Sequence, residues 1–414
     1  MLQQRTNRPR PVLDFNPVAG TYKVGFNGLL QSIPLSSLVT FTRASGSSVY
    51  NSAGILTNIT TNVPALDYSP ATLAPQGLAI FGQAVNLCLQ SGNIQQSAGW
   101  QCSCTSAVVG ATAPDGTSTA TTITIDGSTD AVYPTTPITV VASTVYNFSF
   151  FAELGTMLQS EFTFAVYDAT NSAFITSTAT ATLTTTGWTR VNYTFTTPTG
   201  CVSVRPYVYR SPGVSGLSGH TLIVWGAQLT ASATVFPYIP TTTSSVTRAV
   251  DLVNLNNSFF PTLGKTGMTF FADVLWQQPA GGQGQGYIFE IDDGTYNNRC
   301  YSVPTGMSNT WVIYSNAILI GNANPSTNYT PGVPIRFGMS CNNGSYAAAT
   351  NGLTSTGPNA LTGKLPLMSY LHFGSSNATG NALLNGWLRR LVAYPYAMTQ
   401  QQIKVLSTPG SALP

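Results

Sequence analysis

The chain has 414 residues with 16 Lys and Arg against 13 Asp and Glu, a formal net charge of +3. So small a net charge excludes a nucleic-acid interface built on a basic field, and no apolar run reaches the roughly 18 residues that a membrane-spanning helix needs. Only 7% of residues are charged, against roughly 25% in an average soluble protein, so the solvated surface is made of Thr, Ser, Asn, Gln and Gly.

Hydrophobic residues make up 43% of the chain, enough for real cores, and the length predicts two or three domains. Abundant Thr, Val, Tyr, Phe and Gly, with few charged helix formers, predict an all-β protein. Met1 is followed by polar and basic residues without an apolar h-region, which predicts no secretory signal and folding in a reducing cytoplasm. The six cysteines are accordingly expected as buried free thiols, with Cys102 and Cys104 on one face of a strand. His220 and His372 stand in unrelated contexts, so neither a metal nor another cofactor is expected.

Residues 1–95 read as an irregular attachment region. Pro9, Pro11, Pro17, Pro34, Pro64, Pro70 and Pro75 interrupt it, leaving short extended pieces such as Leu38 to Arg43 and Gly77 to Phe81. A segment of this kind needs a partner surface. Its charge is one-sided at the start: within the first 43 residues Arg5, Arg8, Arg10, Lys23 and Arg43 face only Asp14. Two readings fit, a solvated arm or a basic peg that docks through Arg5, Arg8, Arg10 and Lys23 onto a larger acidic assembly.

Residues 96–240 read as a β-sandwich. Strands are expected at 121–125, 138–141, 145–152, 162–167, 188–195, 202–209 and 222–229, many alternating polar and apolar residues between Gly, Pro, Asn or Asp turns. The stretch Trp225 to Val250 then closes this sandwich and passes through a proline-stiffened linker at Pro237 and Pro240. Its VTRA at Val246 to Ala249 echoes FTRA at Phe41 to Ala44.

Residues 241–414 read as a second sandwich, with strands at 268–276, 287–291, 311–314, 335–340, 345–349, 370–373 and 387–394. The tail carries one helix signal: Thr399 and Gln402 form a capping box ahead of the apolar pair Ile403 and Leu406.

These residues carry a resemblance. FTRAS at Phe41 to Ser45, GIL at Gly54 to Leu56, NVPALDYSP at Asn62 to Pro70 and APQGLAIFGQAVNLCLQS at Ala74 to Ser91 occur in order with WGAQL and YIPTTTSSVTRA. Together they resemble the head-fibre (head-spike) or minor tail structural proteins of tailed bacteriophages. The resemblance implies an N-terminal virion-attachment region, a carbohydrate-binding-module-like jelly roll and a concanavalin/laminin-G-like jelly roll closed by a short helix. RFGMSCNNGS (Arg336 to Ser345) and NGWLRRLVAYPYAMTQQQI (Asn385 to Ile403) match the last of these. One departure is FGQAVN, which stands where relatives often carry a Glu-rich, Arg-containing segment.

Three groups of residues are candidate sites. In FEIDDGTYNNR, Glu290 and Asp292 share a strand face, as the carboxylates of concanavalin-like glycosidases do, but Gly294 or Thr295 stands where a second Glu is needed. The alternatives are a DDG hairpin turn and calcium held by Asp292 and Asp293. Aromatic residues that stack on sugar faces are the second group: Tyr207 and Tyr209 with Arg210 beside the loop from Pro212 to His220, and Tyr296 with Asn298 beside the loop from Gln277 to Gly286. Trp188 and Trp225 are expected in the core. The basic residues of the attachment region are the third.

The resemblance implies a non-enzymatic structural protein of the virion, assembled in the host cytoplasm. Its partners would be other virion proteins, further copies in a homotrimer, and host-surface glycans, with no nucleic acid, membrane insertion or cofactor. The alternatives are a tailspike-type polysaccharide-degrading glycosidase using Glu290 and Asp292, and a secreted adhesin, which the missing signal disfavours.

Overall fold

The computed structural model describes residues 10–413 other than 27–28, 128–129, 180, 185, 211–217, 260–266, 278–285, 306–307, 326–329, 331, 356–358 and 377–382. The described chain is mostly β, arranged as sandwiches of antiparallel sheets.

The first sandwich faces two sheets against each other. One runs in the order Trp100–Ser103, Ala131–Pro134, Ser203–Arg210, Phe162–Asp168, Ala173–Ala179, with Ile138–Thr139 added onto Ser203–Arg210. The other runs Ser106–Ala111, Ala120–Thr124, Thr221–Thr230, Val145–Leu154, Thr189–Thr196. Alternation along the strands sends Phe148, Phe150, Phe162, Phe164, Val191 and Val208 into a shared core. Each such side chain contributes about 1.5–3 kcal/mol by leaving water. Every strand expected here from alternation is present. The additional strands at 100–103, 106–111, 131–134 and 173–179 are short or lack a clear period, and they gain stability from their neighbours in the sheet.

The second sandwich is built from both ends of the chain. Its larger sheet is ordered Leu29–Ser32, Thr21–Phe26, Leu13–Asn16, Gly386–Tyr394, Met268–Trp276, Ile335–Cys341, Ser345–Thr350, Leu353–Thr354. Pro75–Ile80 also pairs with Gly386–Tyr394, and Leu66–Tyr68 pairs with Pro75–Ile80. The facing sheet is ordered Ile318–Ala323, Ser308–Ser315, Arg299–Thr305, Phe289–Asp292, Tyr370–Phe373, Leu252–Leu255, Val39–Thr42. The predicted helix is present at Gln400–Leu406. Thr399 and Gln402 form its capping box, and Ile403 is buried with Phe271, Val392 and Tyr394 on the outer face of the larger sheet.

This architecture corrects the reading of residues 1–95 as an irregular region. Nine short strands lie between Leu13 and Asn86. Leu13 pairs with Ala393, Val39 with Leu255, and Leu78 with Leu388. The partner surface that these strands need is therefore supplied by the chain itself. The prolines obey strand rules: Pro17 follows a strand, Pro34, Pro64 and Pro70 lie between strands, and Pro75 opens one. Described strands from both ends of the chain, between Leu13 and Ile80 and between Leu252 and Tyr394, thus share one core, and the first sandwich, whose core includes Cys88 and Ile94, is inserted between them.

Entry to and exit from that insertion are joined, since Ala84–Asn86 pairs with Val246–Arg248. The stretch expected as a stiff linker is a bonded seam. Tyr238 is buried against Trp225 at 4.6 Å between ring centroids, and its hydroxyl lies 2.7 Å from Ser91 Oγ. Asn86 Nδ2 donates to the carbonyls of Ala227 and Ile239.

The echo of FTRA and VTRA has a physical cause in this seam. Arg43 and Arg248, the third residue of each copy, converge on Asp251, and all three are within 1% of complete burial. Arg43 Nη1 donates to Asp251 Oδ1 at 3.2 Å, and Arg248 Nη2 donates to Asp251 Oδ2. The remaining guanidinium groups donate to carbonyls, from Arg43 to Ser45 and Thr60 and from Arg248 to Phe81 and Gly82, while Arg248 Nε donates to Ser47 Oγ. Burial lowers the pKa of Arg43, and Asp251 opposes that shift.

Cys102 and Cys104 are joined in a disulfide, which corrects the expectation of free thiols for that pair. Cys88, Cys201, Cys300 and Cys341 are free and buried.

Candidate functional site

A cleft of about 520 Å³ opens where the inserted sandwich meets the unit that carries it. Its size lies within the roughly 300–1,000 Å³ usual for small-molecule sites. The floor is the outer face of the sheet that contains Val145–Leu154 and Thr189–Thr196. Val191 and Phe195 point into the core, so the period of two turns Arg190, Asn192 and Thr194 outward, and Phe151 lies opposite Arg190 in the ladder. Trp188, Arg190 and Asn192 line the cleft from this side. Tyr50, Asp67 and Gln76 line it from the N-terminal strands and their neighbours, with Tyr238 from the seam and Trp387 from the larger sheet.

Arg190 is half-buried in this floor. Its Nη2 donates to Ser149 Oγ at 3.2 Å, and its guanidinium lies 5.3 Å from the Phe151 ring centroid. Its Nε is sealed from solvent without a hydrogen-bond partner. Burial lowers its pKa to about 10, with Tyr50, Tyr238 and Asp67 acting in the opposite direction. Among the described residues no carboxylate forms an ion pair with it.

Asp67 is already engaged. Its Oδ1 accepts from the backbone N–H groups of Tyr50 at 2.7 Å and Tyr68 at 3.0 Å, and its Oδ2 accepts from Trp387 Nε1 at 2.9 Å. Desolvation nevertheless pushes its pKa up to about 6. Gln76 Oε1 is a second buried polar atom without a partner. The cleft thus combines aromatic rings with a guanidinium that has no carboxylate partner among the described residues. This combination suits a ligand with apolar faces and many polar edges, as a sugar has.

The residues singled out in the sequence are placed elsewhere. Tyr207 lies on the other sheet of the inserted sandwich, where it stacks on Tyr133 at 4.3 Å beside Tyr167 and Phe174. Tyr209 and Arg210 close the same strand; their side chains and residues 211–217 of the adjacent loop lie outside the described residues. Trp225 is buried as expected, but on the cleft-side face of its sheet. Trp188 is half-buried and borders the cleft, which corrects its assignment to the core.

In the second sandwich, Tyr296 is 43% exposed and lies 4.7 Å from the Arg299 guanidinium. Asn298 Nδ2 donates to Asp293 Oδ2, so it serves the hairpin. Residues 278–285 of the neighbouring loop lie outside the described residues, as do Arg5 and Arg8. Arg10 is exposed, and Lys23 sits in the ladder opposite Asp14, whose carboxylate is held by Arg390 at 2.9 and 3.0 Å.

Glu290 and Asp292 share one strand face, as expected, and both are fully buried. Asp292 Oδ1 accepts from Gly294 N, and its Oδ2 lies 2.9 Å from His372 Nε2. Glu290 lies 3.7 Å from Arg299 Nη1. Asp292 and Asp293 lie at a hairpin turn. Asp293 accepts from Thr295 and Asn298, Asp292 turns to His372, and Asp292 pairs with Arg299 across the turn. Among the described residues no group of three or more His, Cys, Asp or Glu side chains is placed to hold a metal.

A family model described as a carbohydrate binding domain matches residues 89–213. That span includes Phe151, Trp188, Arg190 and Asn192 of the cleft floor. No curated protein matches the chain. Among solved structures, the chain is similar to the CBM40 module of Ruminococcus gnavus IT-sialidase bound to α2,3-sialyllactose, at 10% identity and a TM-score of 0.30, over 35% of this chain and 83% of that one. It is also similar to the receptor binding domain of botulinum neurotoxin mosaic serotype C/D, at 12% identity and a TM-score of 0.30. That match covers 39% of this chain, and the chain spans only 40% of that structure. A heptameric SAP-like pentraxin from Limulus polyphemus matches at 13% identity and a TM-score of 0.28, over 36% and 71% of the two chains.

Proposed function

We propose that the chain is a non-enzymatic, glycan-binding structural protein of a tailed-bacteriophage particle, and that the cleft between its sandwiches is the sugar site. The observation that carries the glycan reading is the carbohydrate-binding match over residues 89–213, which supplies the Trp188, Arg190 and Asn192 floor. An oligosaccharide array probed with the full chain and with Trp188→Ala tests it. The proposal expects a defined set of glycans to be retained by the wild type and lost by the variant; a folded variant with an unchanged array profile rules the cleft out.

The virion role rests on the motif resemblance between FTRAS and YIPTTTSSVTRA. In this reading the protein is a head-fibre or tail-fibre subunit, a homotrimer joined to other virion proteins and displaying its sandwiches to host-surface glycans. Mass spectrometry of purified particles and sedimentation of the isolated protein test it. Absence from the particles, or a monomer at all concentrations, counts against it.

Complete burial of Glu290 and Asp292 supports the absence of glycosidase chemistry, because a scissile bond must reach both carboxyl groups. Glycan shortening by the wild type that disappears in Glu290→Gln would overturn this part of the proposal.

A further inference from the structure

We propose that the ligand of the cleft is an acidic glycan, held by a sugar carboxylate on Arg190. This inference rests on the glycan reading above and narrows it to a chemical class. Arg190 is a cation in a chain with few charges. It stands at the ladder position opposite Phe151, whose ring supports the guanidinium at 5.3 Å. Among the described residues its guanidinium has one hydrogen bond, from Nη2 to Ser149 Oγ at 3.2 Å, and no carboxylate pairs with it.

A guanidinium is a planar fork that matches a carboxylate through two parallel hydrogen bonds. A neutral sugar hydroxyl satisfies such a donor without neutralising the charge. Asp67, the acid on the facing wall, accepts from Tyr50, Tyr68 and Trp387 and forms no ion pair with Arg190 among the described residues. The rings of Trp188 and Tyr50 border the same cleft and offer apolar surface to a pyranose face.

The test compares tri-galacturonate with its fully methyl-esterified form, which keeps the shape and removes the charge, by calorimetry on the full chain. A tenfold or greater preference for the acid is expected, with the ratio falling toward one in Arg190→Gln. Arg190→Lys keeps the charge but loses the fork, and is expected to retain an intermediate preference.

Equal binding of acid and ester by the wild type, or an acid preference that survives Arg190→Gln, overturns the acidic assignment. If neutral glycans bind on the array while neither galacturonate form does, the assignment falls and the glycan reading stands. If no glycan of either kind binds, both fall. The wild-type ratio decides the matter even where a variant fails to fold.

Discussion

Two groups of arginines stand at the junction of the sandwiches and differ in how their hydrogen bonds are spent. Arg43 and Arg248 are fully buried, share Asp251, and donate their remaining N–H groups to backbone carbonyls and Ser47. Arg190 lies in the cleft floor with a hydrogen bond to Ser149 and no carboxylate partner among the described residues. A buried charge is tolerated when it is paired and hydrogen-bonded. The Asp251 node meets that condition and marks a structural joint. Arg190 meets it in part, which leaves it available to a ligand.

The largest expected effect falls on the node. Asp251→Ala leaves two buried arginines without their counter-charge and is expected to destabilise the chain by about 3–5 kcal/mol, read as a lower denaturant midpoint. A change under about 1 kcal/mol would remove the distinction between the two groups.

Arg190→Gln sharpens the comparison from the other side. The substitution removes a desolvated charge and only one described hydrogen bond, so it is expected to shift stability by less than about 1 kcal/mol. A loss as large as that of Asp251→Ala would make Arg190 a structural residue.

Away from the junction, Thr399→Ala removes the half of the capping box in which Thr399 Oγ1 accepts from Gln402 N–H, and leaves the bond from its own backbone N–H to Gln402 Oε1. It is expected to cost about 1 kcal/mol without altering glycan retention on the array, which gives a baseline for a purely local loss.

The smallest effect is a pH dependence. Desolvation raises the Asp67 carboxyl to about 6, opposed by its bonds to Tyr50, Trp387 and Tyr68 and by the charge of Arg190. A raised carboxyl favours the folded state at low pH, and that contribution is lost as pH rises through about 6. Ionised Asp67 also opposes a second anion in the cleft. Affinity for tri-galacturonate is therefore expected to be roughly threefold higher at about pH 5 than at about pH 7.5, equivalent to a half-unit shift, while the methyl ester shows no such trend. Calorimetry at the two pH values checks this, and the opposite slope would mean that Asp67 does not face the bound acid.

Much of the fold was legible because it is written locally. Alternation marked the strands that carry Phe148, Phe150, Phe162 and Phe164, and Thr399 with Gln402 marked the helix. The pairing of the N-terminal strands was not legible. Leu13–Asn16 is four residues long, and its partner lies near the other end of the chain. Nothing in so short a stretch specifies which edge it completes.

The site was partly legible. Tyr207 was singled out because it stands beside a polar loop, and it lies on the sheet opposite the cleft floor. Arg190 sat inside a predicted strand whose Val191, Tyr193 and Phe195 alternate inward. The same alternation turns Arg190, Asn192 and Thr194 outward, and Trp188, expected in the core as a large aromatic, joins them at the cleft. What covers the face comes from residues 48–76 and 387, and only the three-dimensional pairing brings them there.

The most direct measurement is a crystal structure of the full chain with tri-galacturonate bound. The account predicts sugar density in the cleft, with a ring against Trp188 and a carboxylate on Arg190. Density on the Tyr133 and Tyr207 face, with the cleft left free, would contradict it.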